Sequence, residues 1–188
     1  PPKFRDKVMA RFDPLFDALK AAGVRVKADL REETPGWKFN EWEMRGVPLR
    51  IEIGPRDVDS NQFRMVRRDT GEKIPVPLDE AVERARNLLE EIQRNMFEKA
   101  RAFRDANSHL HISTLDELKA HIARCEEAGD IPGFVLAGWC GSDECEAKVK
   151  EETKFTSRNI PFDPPARKQV CIHCGGEAKH TVWFARAY

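Results

Sequence analysis

The sequence has no net charge: 32 Lys and Arg balance 32 Asp and Glu. A chain without a global field exerts no long-range pull on a polyanion. Any nucleic-acid site must therefore come from local patches, and strong nonspecific DNA binding is not expected. No apolar run is long enough for a signal peptide or a transmembrane helix, so no membrane partner is expected. An initial methionine is also absent. The chain opens Pro1-Pro2, which leads us to expect a piece of something longer and leaves an upstream targeting signal open. Neither a phosphate-cradling glycine loop nor a constellation of acid, base and nucleophile is present, so these residues are expected to be catalytically inert by themselves.

What is present suits a soluble globular protein. Hydrophobic residues make up 40% and charged ones 34% of 188 positions, enough for one large or two small domains with real cores. Phe4, Val8, Phe12, Leu15, Phe16 and Leu19 recur at helical spacing, predicting a helix over residues 3–22 that Gly23 stops and Pro14 kinks or splits. Val24, Val26, Ala28 and Leu30 alternate with Arg25, Lys27 and Asp29, the period of a half-buried strand. A short helix from Gly36 to Gly46 follows, then strands at 47–53, 61–68 and around 73–76, with an Asp69-Thr70-Gly71 turn between the last two. A long helix begins near Leu78, with a stripe of Val82, Ala85, Leu88, Leu89, Ile92, Met96 and Phe103. Strands alternating with helices imply an α/β layered domain.

The densest stretch is residues 34–73, where Trp37, Phe39 and Trp42 stand among carboxylates and basic residues. Phe39 and Glu43 are four apart and share a helix face. A ring beside a carboxylate suits an unstacked RNA base, bound by stacking and through its Watson–Crick edge. Guanine offers only donors at N1 and N2, and an ionised carboxylate only accepts. For Trp37 and Trp42 burial in the core is the expectation, since large aromatics mostly stabilise by burial. Arg64, Arg67 and Arg68 are either phosphate contacts or a solvated strand face.

Polar residues 104–113 mark a boundary. Beyond it, Thr114 and Glu117 form a capping box for a helix that runs to Ala128 and is closed by Gly129. Cys125 is expected in its buried stripe, and His109 and His111 are expected to be a solvated linker pair. Cys140 and Cys145 are separated by four residues, Cys171 and Cys174 by two. Two such pairs fit a structural zinc closed by four thiolates. A disulfide framework is disfavoured by five cysteines without a secretory segment. His173 and His180 could replace a thiolate, although surface or neighbouring roles are expected. Residues 180–188 read as an edge strand.

PGWKFNEWEMRGVP followed by RIEIGPRD and RRDTGEK resembles the anticodon-binding domain of prolyl-tRNA synthetase, in the archaeal/eukaryote-like form that some bacteria also possess. The likeness continues through the cysteine region to WFARAY. It implies a class II synthetase-type anticodon-binding domain over residues 1–106, a mixed sheet flanked by helices, followed by a small α+β zinc domain over 107–188. The family's domain opens with a strand that this chain would lack. Proline codons begin with two cytosines, so tRNA for proline carries two anticodon guanines. By resemblance Glu43 accepts from a guanine edge, Phe39 stacks on an anticodon base, Arg50 and Asp57 line the same pocket, and Lys73 donates to a guanine O6. Cys140, Cys145, Cys171 and Cys174 would hold zinc, and the Tyr188 end would be directed to the active site.

The implied whole is a cytoplasmic, homodimeric proline–tRNA ligase that activates proline with ATP. Its ATP and Mg would belong to a catalytic domain outside these residues. The competing readings are a stand-alone RNA-binding module and a zinc-stapled interaction domain that has lost the RNA.

Overall fold

The computed structural model describes residues 4–187. Within them the chain folds as two compact units, one ending at Lys99 and the other beginning at Ala100.

The first unit opens with α1 (Arg5–Ala21), which runs through Pro14 without splitting and buries Leu15 and Leu19. Residues 24–30 are not the strand their alternation suggests; they are extended but have no ladder partner among the described residues. The alternation instead reflects one-sided burial, with Val24 and Val26 packed on the core. Next come α2 (Pro35–Met44), β1 (Leu49–Glu52), the short α3 (Pro55–Asp59), β2 (Gln62–Arg67) and β3 (Lys73–Pro77). The strands form an antiparallel sheet in the order β1-β2-β3.

Side-chain alternation gives this sheet two unlike faces. Ile51, Met65 and Ile74 share one rung and turn, with Phe63 and Val76, toward the core. Arg50, Val66 and Lys73 share the neighbouring rung and project from the opposite face, as do the partners Glu52 and Arg64. Helix α4 (Ala81–Ala106) closes the core with Ala81, Ala85, Leu88 and Ile92. Its stripe is buried only that far. Met96 and Phe103, expected in the same stripe, are exposed, because the first unit's core does not extend along the rest of the helix.

The second unit contains β4 (Ser108–His109), α5 (Leu115–Ala128), β5 (Phe134–Trp139), α6 (Asp143–Thr153), β6 (Phe155–Asn159) and β7 (His180–Arg186). The helix over 115–128 is bounded as its sequence predicts. Thr114 Oγ1 accepts from Glu117 N at 3.2 Å, Glu117 Oε2 accepts from Thr114 N, and Gly129 is left-handed. Sheet order is β4-β5-β7-β6. Strand β7 is therefore not an edge but central, pairing with β5 and β6, and it buries Val182, Phe184 and Ala185. Tyr188 lies outside the described residues.

A buried histidine anchors this unit. His121 is only 4% exposed. Its Nε2–H donates to Pro132 O at 2.9 Å, and its Nδ1 accepts from Arg124 at 3.1 Å, since a carbonyl cannot donate and a guanidinium cannot accept. His109, expected in solvent, is half-buried with its ring 4.2 Å from that of His121. Burial, then the charges of His121, His111 and Arg124, push its pKa below the ordinary 6.5. Cys125, expected in the core, is only half-buried, with its sulfur 3.7 Å from His121 Nε2.

Candidate nucleic-acid interface and metal centre

Helix α2 exists because Pro35 pre-sets its first turn and Gly46, at φ 78°, ends it. It carries Phe39 and Glu43 on the flank that meets β1. There the Arg50 Cζ lies 3.9 Å from the Phe39 ring centroid, and Arg50 Nη1 donates to Glu43 Oε1 at 2.7 Å. Arg50 Nε donates to Glu52 at 2.9 Å. Glu43 remains half exposed while the Arg50 side chain is 17% exposed, so the carboxylate is accessible and the cation behind it is held. Arg68 Nε donates to the Glu43 carbonyl and fixes the end of α2.

Three of the five sequence-predicted RNA contacts, Phe39, Glu43 and Arg50, thus form one cluster. Lys73 is exposed two strands away on the same rung as Arg50. Asp57 stands in the first turn of α3, accepting from Gly54 N at 2.8 Å, with Arg64 3.6 Å away. Arg64 is exposed on the polar sheet face, as either sequence reading requires. Arg67 fits neither reading. It is 12% exposed and bonded to Asp69 and Glu91, because its rung faces the core side. Bonds from Arg67 and then Asn95 lower the Asp69 pKa to about 2.

The tryptophans are not core either. Trp37 is half exposed. Trp42 is half-buried among charges: its indole N–H donates to Asp29 Oδ2 at 2.8 Å, and Lys27, Arg31 and Arg45 all approach its ring within 6 Å. Asp29 also receives Nε and Nη2 of Arg31, at 2.9 and 2.6 Å. Those bonds, with the one from Trp42, hold its carboxyl well below the usual carboxylate range. This network replaces a strand ladder in fixing residues 24–31 against α2.

In the second unit the sulfurs of Cys140, Cys145, Cys171 and Cys174 all lie within 4.8 Å of one another. Tetrahedral zinc–thiolate geometry needs separations of about 3.8 Å, so small side-chain rotations suffice. None of the five cysteines is in a disulfide. Cys140 directly follows β5, and Cys145 is in the first turn of α6, where the helix dipole favours a thiolate. Cys171 and Cys174 flank a tight turn in which Gly175 N donates to Cys171 O at 3.0 Å. Gly138 brings that turn to β5: Ile172 N donates to Gly138 O at 2.9 Å, and a Cβ on Gly138 would stand 2.1 Å from Val170 O. Burial, reinforced by the neighbouring thiols, pushes the Cys145 thiol up to about 12. Burial also raises Cys171, but backbone N–H groups around it outweigh this and bring it to about 7. His173 Nδ1 is 3.4 Å from Cys145 Sγ, a neighbouring position, whereas His180 packs on Trp139.

Residues 2–88 match the model of the anticodon binding domain family, and residues 122–188 that of the prolyl-tRNA synthetase C-terminal family. The chain is 87% identical over all 188 residues to a proline–tRNA ligase of Symbiobacterium thermophilum, spanning 38% of that relative's length. It is 47% identical over 91% of its length to a proline–tRNA ligase of Lachnospira eligens, covering 34% of it. It is 44% identical over 98% to proline–tRNA ligase 2 of Clostridioides difficile, covering 37%. The chain thus spans well under half the length of the curated relatives it matches, and neither matched model is of a catalytic core.

Proposed function

The chain corresponds to a C-terminal part of a prolyl-tRNA synthetase, and on that premise we propose that its first unit reads the guanine pair of the proline anticodon. The observation that carries this reading is the Phe39–Glu43–Arg50 cluster: a ring, an accessible carboxylate and a fixed cation in mutual contact. Glu43 accepts from N1–H and N2–H of a guanine, with Arg50 holding the carboxylate oriented. Phe39 stacks on an anticodon base. Asp57 borders the pocket through its contact with Arg64, and Lys73 supplies a donor for a guanine O6 from the same sheet face. Asp57 and Lys73 act at the edge of the site, whereas Glu43 acts at its centre.

The four cysteines bind one structural zinc. A closed thiolate set leaves no open position, so the metal staples the second unit and takes no part in chemistry. His173, beside Cys145, donates to its thiolate. The domain division we favour is 1–106 and 107–188.

The whole to which this part belongs is a cytoplasmic, homodimeric proline–tRNA ligase of the archaeal/eukaryote-like type. It activates proline with ATP and Mg in a catalytic domain and transfers it to tRNA. The 188 residues alone bind RNA and do not aminoacylate.

Glu43→Gln tests the reading. It retains an acceptor but adds a donor and removes the charge, so affinity for a guanine-bearing anticodon stem-loop should fall at least tenfold while a guanine-substituted loop is bound as before. Equal losses on both RNAs would remove Glu43 from base reading.

A further inference from the structure

The outward and far flanks of α2 carry a second aromatic and basic surface that the guanine-reading cluster does not use. Trp37 is 48% exposed, and its indole N–H makes no hydrogen bond among the described residues. The Arg31 Cζ lies 5.0 Å from its ring centroid. Arg31 is itself fixed by Asp29 and by Glu41 Oε2 at 2.7 Å, and Arg45 by Glu41 Oε1 at 2.5 Å. Between these groups runs a groove of about 330 Å³, lined by residues 27–31 with Glu41, Trp42 and Arg45.

The arrangement of charge in this groove is directional. The carboxylates face inward, Asp29 at 13% and Glu41 at 17% exposure, while the Arg31 and Arg45 side chains are 44% and 58% exposed. The surface offered to solvent is therefore cationic. Nη1 of Arg31 and Nη1 of Arg45 make no hydrogen bond among the described residues and remain able to donate. A clamp for residues 24–31 explains Asp29, Trp42 and Glu41. It does not explain an exposed indole with a pre-positioned guanidinium against one of its faces.

An exposed ring beside cations that retain donors is the combination that binds single-stranded RNA: a base stacks on the aromatic while the backbone tracks the positive groove. We propose that Trp37 and the Arg31–Arg45 groove form a second RNA contact. An unpaired base of the same loop that does not enter the Phe39–Glu43 cluster on the other flank of α2 stacks on the face of Trp37 away from Arg31, and its phosphodiester is held by Arg31 and Arg45. This rests on the anticodon-reading assignment but assigns a different task. The second contact binds any base and adds affinity, whereas Glu43 selects.

The test titrates the 188-residue chain with the proline anticodon stem-loop and with a loop in which both guanines are replaced. Trp37→Ala should weaken both RNAs by the same factor, roughly 5- to 100-fold. Trp37→Phe, which keeps a stacking face, should restore most of the loss. Arg45→Gln, at an exposed position, should reduce the slope of log affinity against log salt by roughly 0.7, the value for one phosphate contact on a single strand. It keeps the inference testable should Trp37→Ala lose its fold. Wild-type affinity of Trp37→Ala for both RNAs, a loss that Trp37→Phe does not restore, or an unchanged salt slope in Arg45→Gln would overturn it. Guanine selection is read separately from Glu43→Gln, so either assignment can fail alone.

Discussion

Arg50 donates to Glu43 at 2.7 Å while its guanidinium carbon stands 3.9 Å from the centre of the Phe39 ring. One cation thus holds the carboxylate and covers one face of the aromatic, while Glu43 stays half exposed and Phe39 only half-buried. Replacing Arg50 by Met keeps the packing on Phe39 but frees Glu43. Because Glu43 is half exposed, the expected stability loss is small, about 1 kcal/mol or less. RNA affinity should fall by about tenfold or more, through an unfixed acceptor. Parallel melting and stem-loop titration check this; a large stability loss with unchanged binding would place Arg50 in the scaffold.

Acid should loosen the first unit through Asp69 and Asp29. Both ionise at lower pH in the folded chain than their ordinary value of 3.8. The unfolded chain therefore takes up protons first, and the stabilisation is present above pH 4 and lost as pH falls toward 2. Asp69→Asn should flatten the stability profile in that window and leave it unchanged near neutrality in shape. Denaturant melts followed across the range measure it.

The second unit has a different window. His109 is held neutral by burial beside His121, below its ordinary 6.5. As pH falls below 6.5 the unfolded chain binds a proton that the folded chain resists, so the unit loses stability, and it regains it as pH rises. His109→Gln should remove most of that slope between pH 6.5 and 5. Amide exchange of β4 and β5 reports the change.

Metal removal should act on the second unit alone. A strong chelator is expected to lower the melting of residues 134–188 while the first unit keeps its transition, because a small module gains part of its stability from a zinc staple. Gly138→Ala should mimic this without a chelator. Its Cβ meets Val170 O at 2.1 Å, and the displacement carries Cys171 away from Cys140 and Cys145. Zinc content below one per chain and a stability loss of roughly 1–3 kcal/mol are expected.

Much of this was legible where the signal is local. The capping box of Thr114 and Glu117, the glycine stops at 46 and 129 and the four cysteines depend on neighbours in sequence. The polar alternation of Arg50 and Glu52 likewise marks the face of β1 opposite the core, although both side chains are mostly covered. Partnering was not legible. Residues 24–30 alternate as a strand does, but alternation records which side is buried, and only tertiary structure decides whether a ladder forms. Strand β5 mixes Val135, Leu136 and Ala137 with Gly138, burial on both faces without a period of two, and so carries no strand signature. Nothing local in the sequence singles out His121, whose two nitrogens are satisfied by Pro132 and Arg124 only in the folded unit. Trp42 reads as core because its size outweighs its indole N–H, which Asp29 satisfies from thirteen residues away.

The central claim is that the first unit reads bases and does not merely attract a backbone. The most direct measurement is the affinity of the 188-residue chain for a proline anticodon stem-loop, beside one with both guanines replaced, at two salt concentrations. The account predicts a preference of at least tenfold for the guanine-bearing loop that persists at the higher salt, because base-edge bonds release no counterions. Equal affinities that fall together as salt rises would contradict it, reducing the Phe39–Glu43–Arg50 cluster to an ion pair packed on a ring.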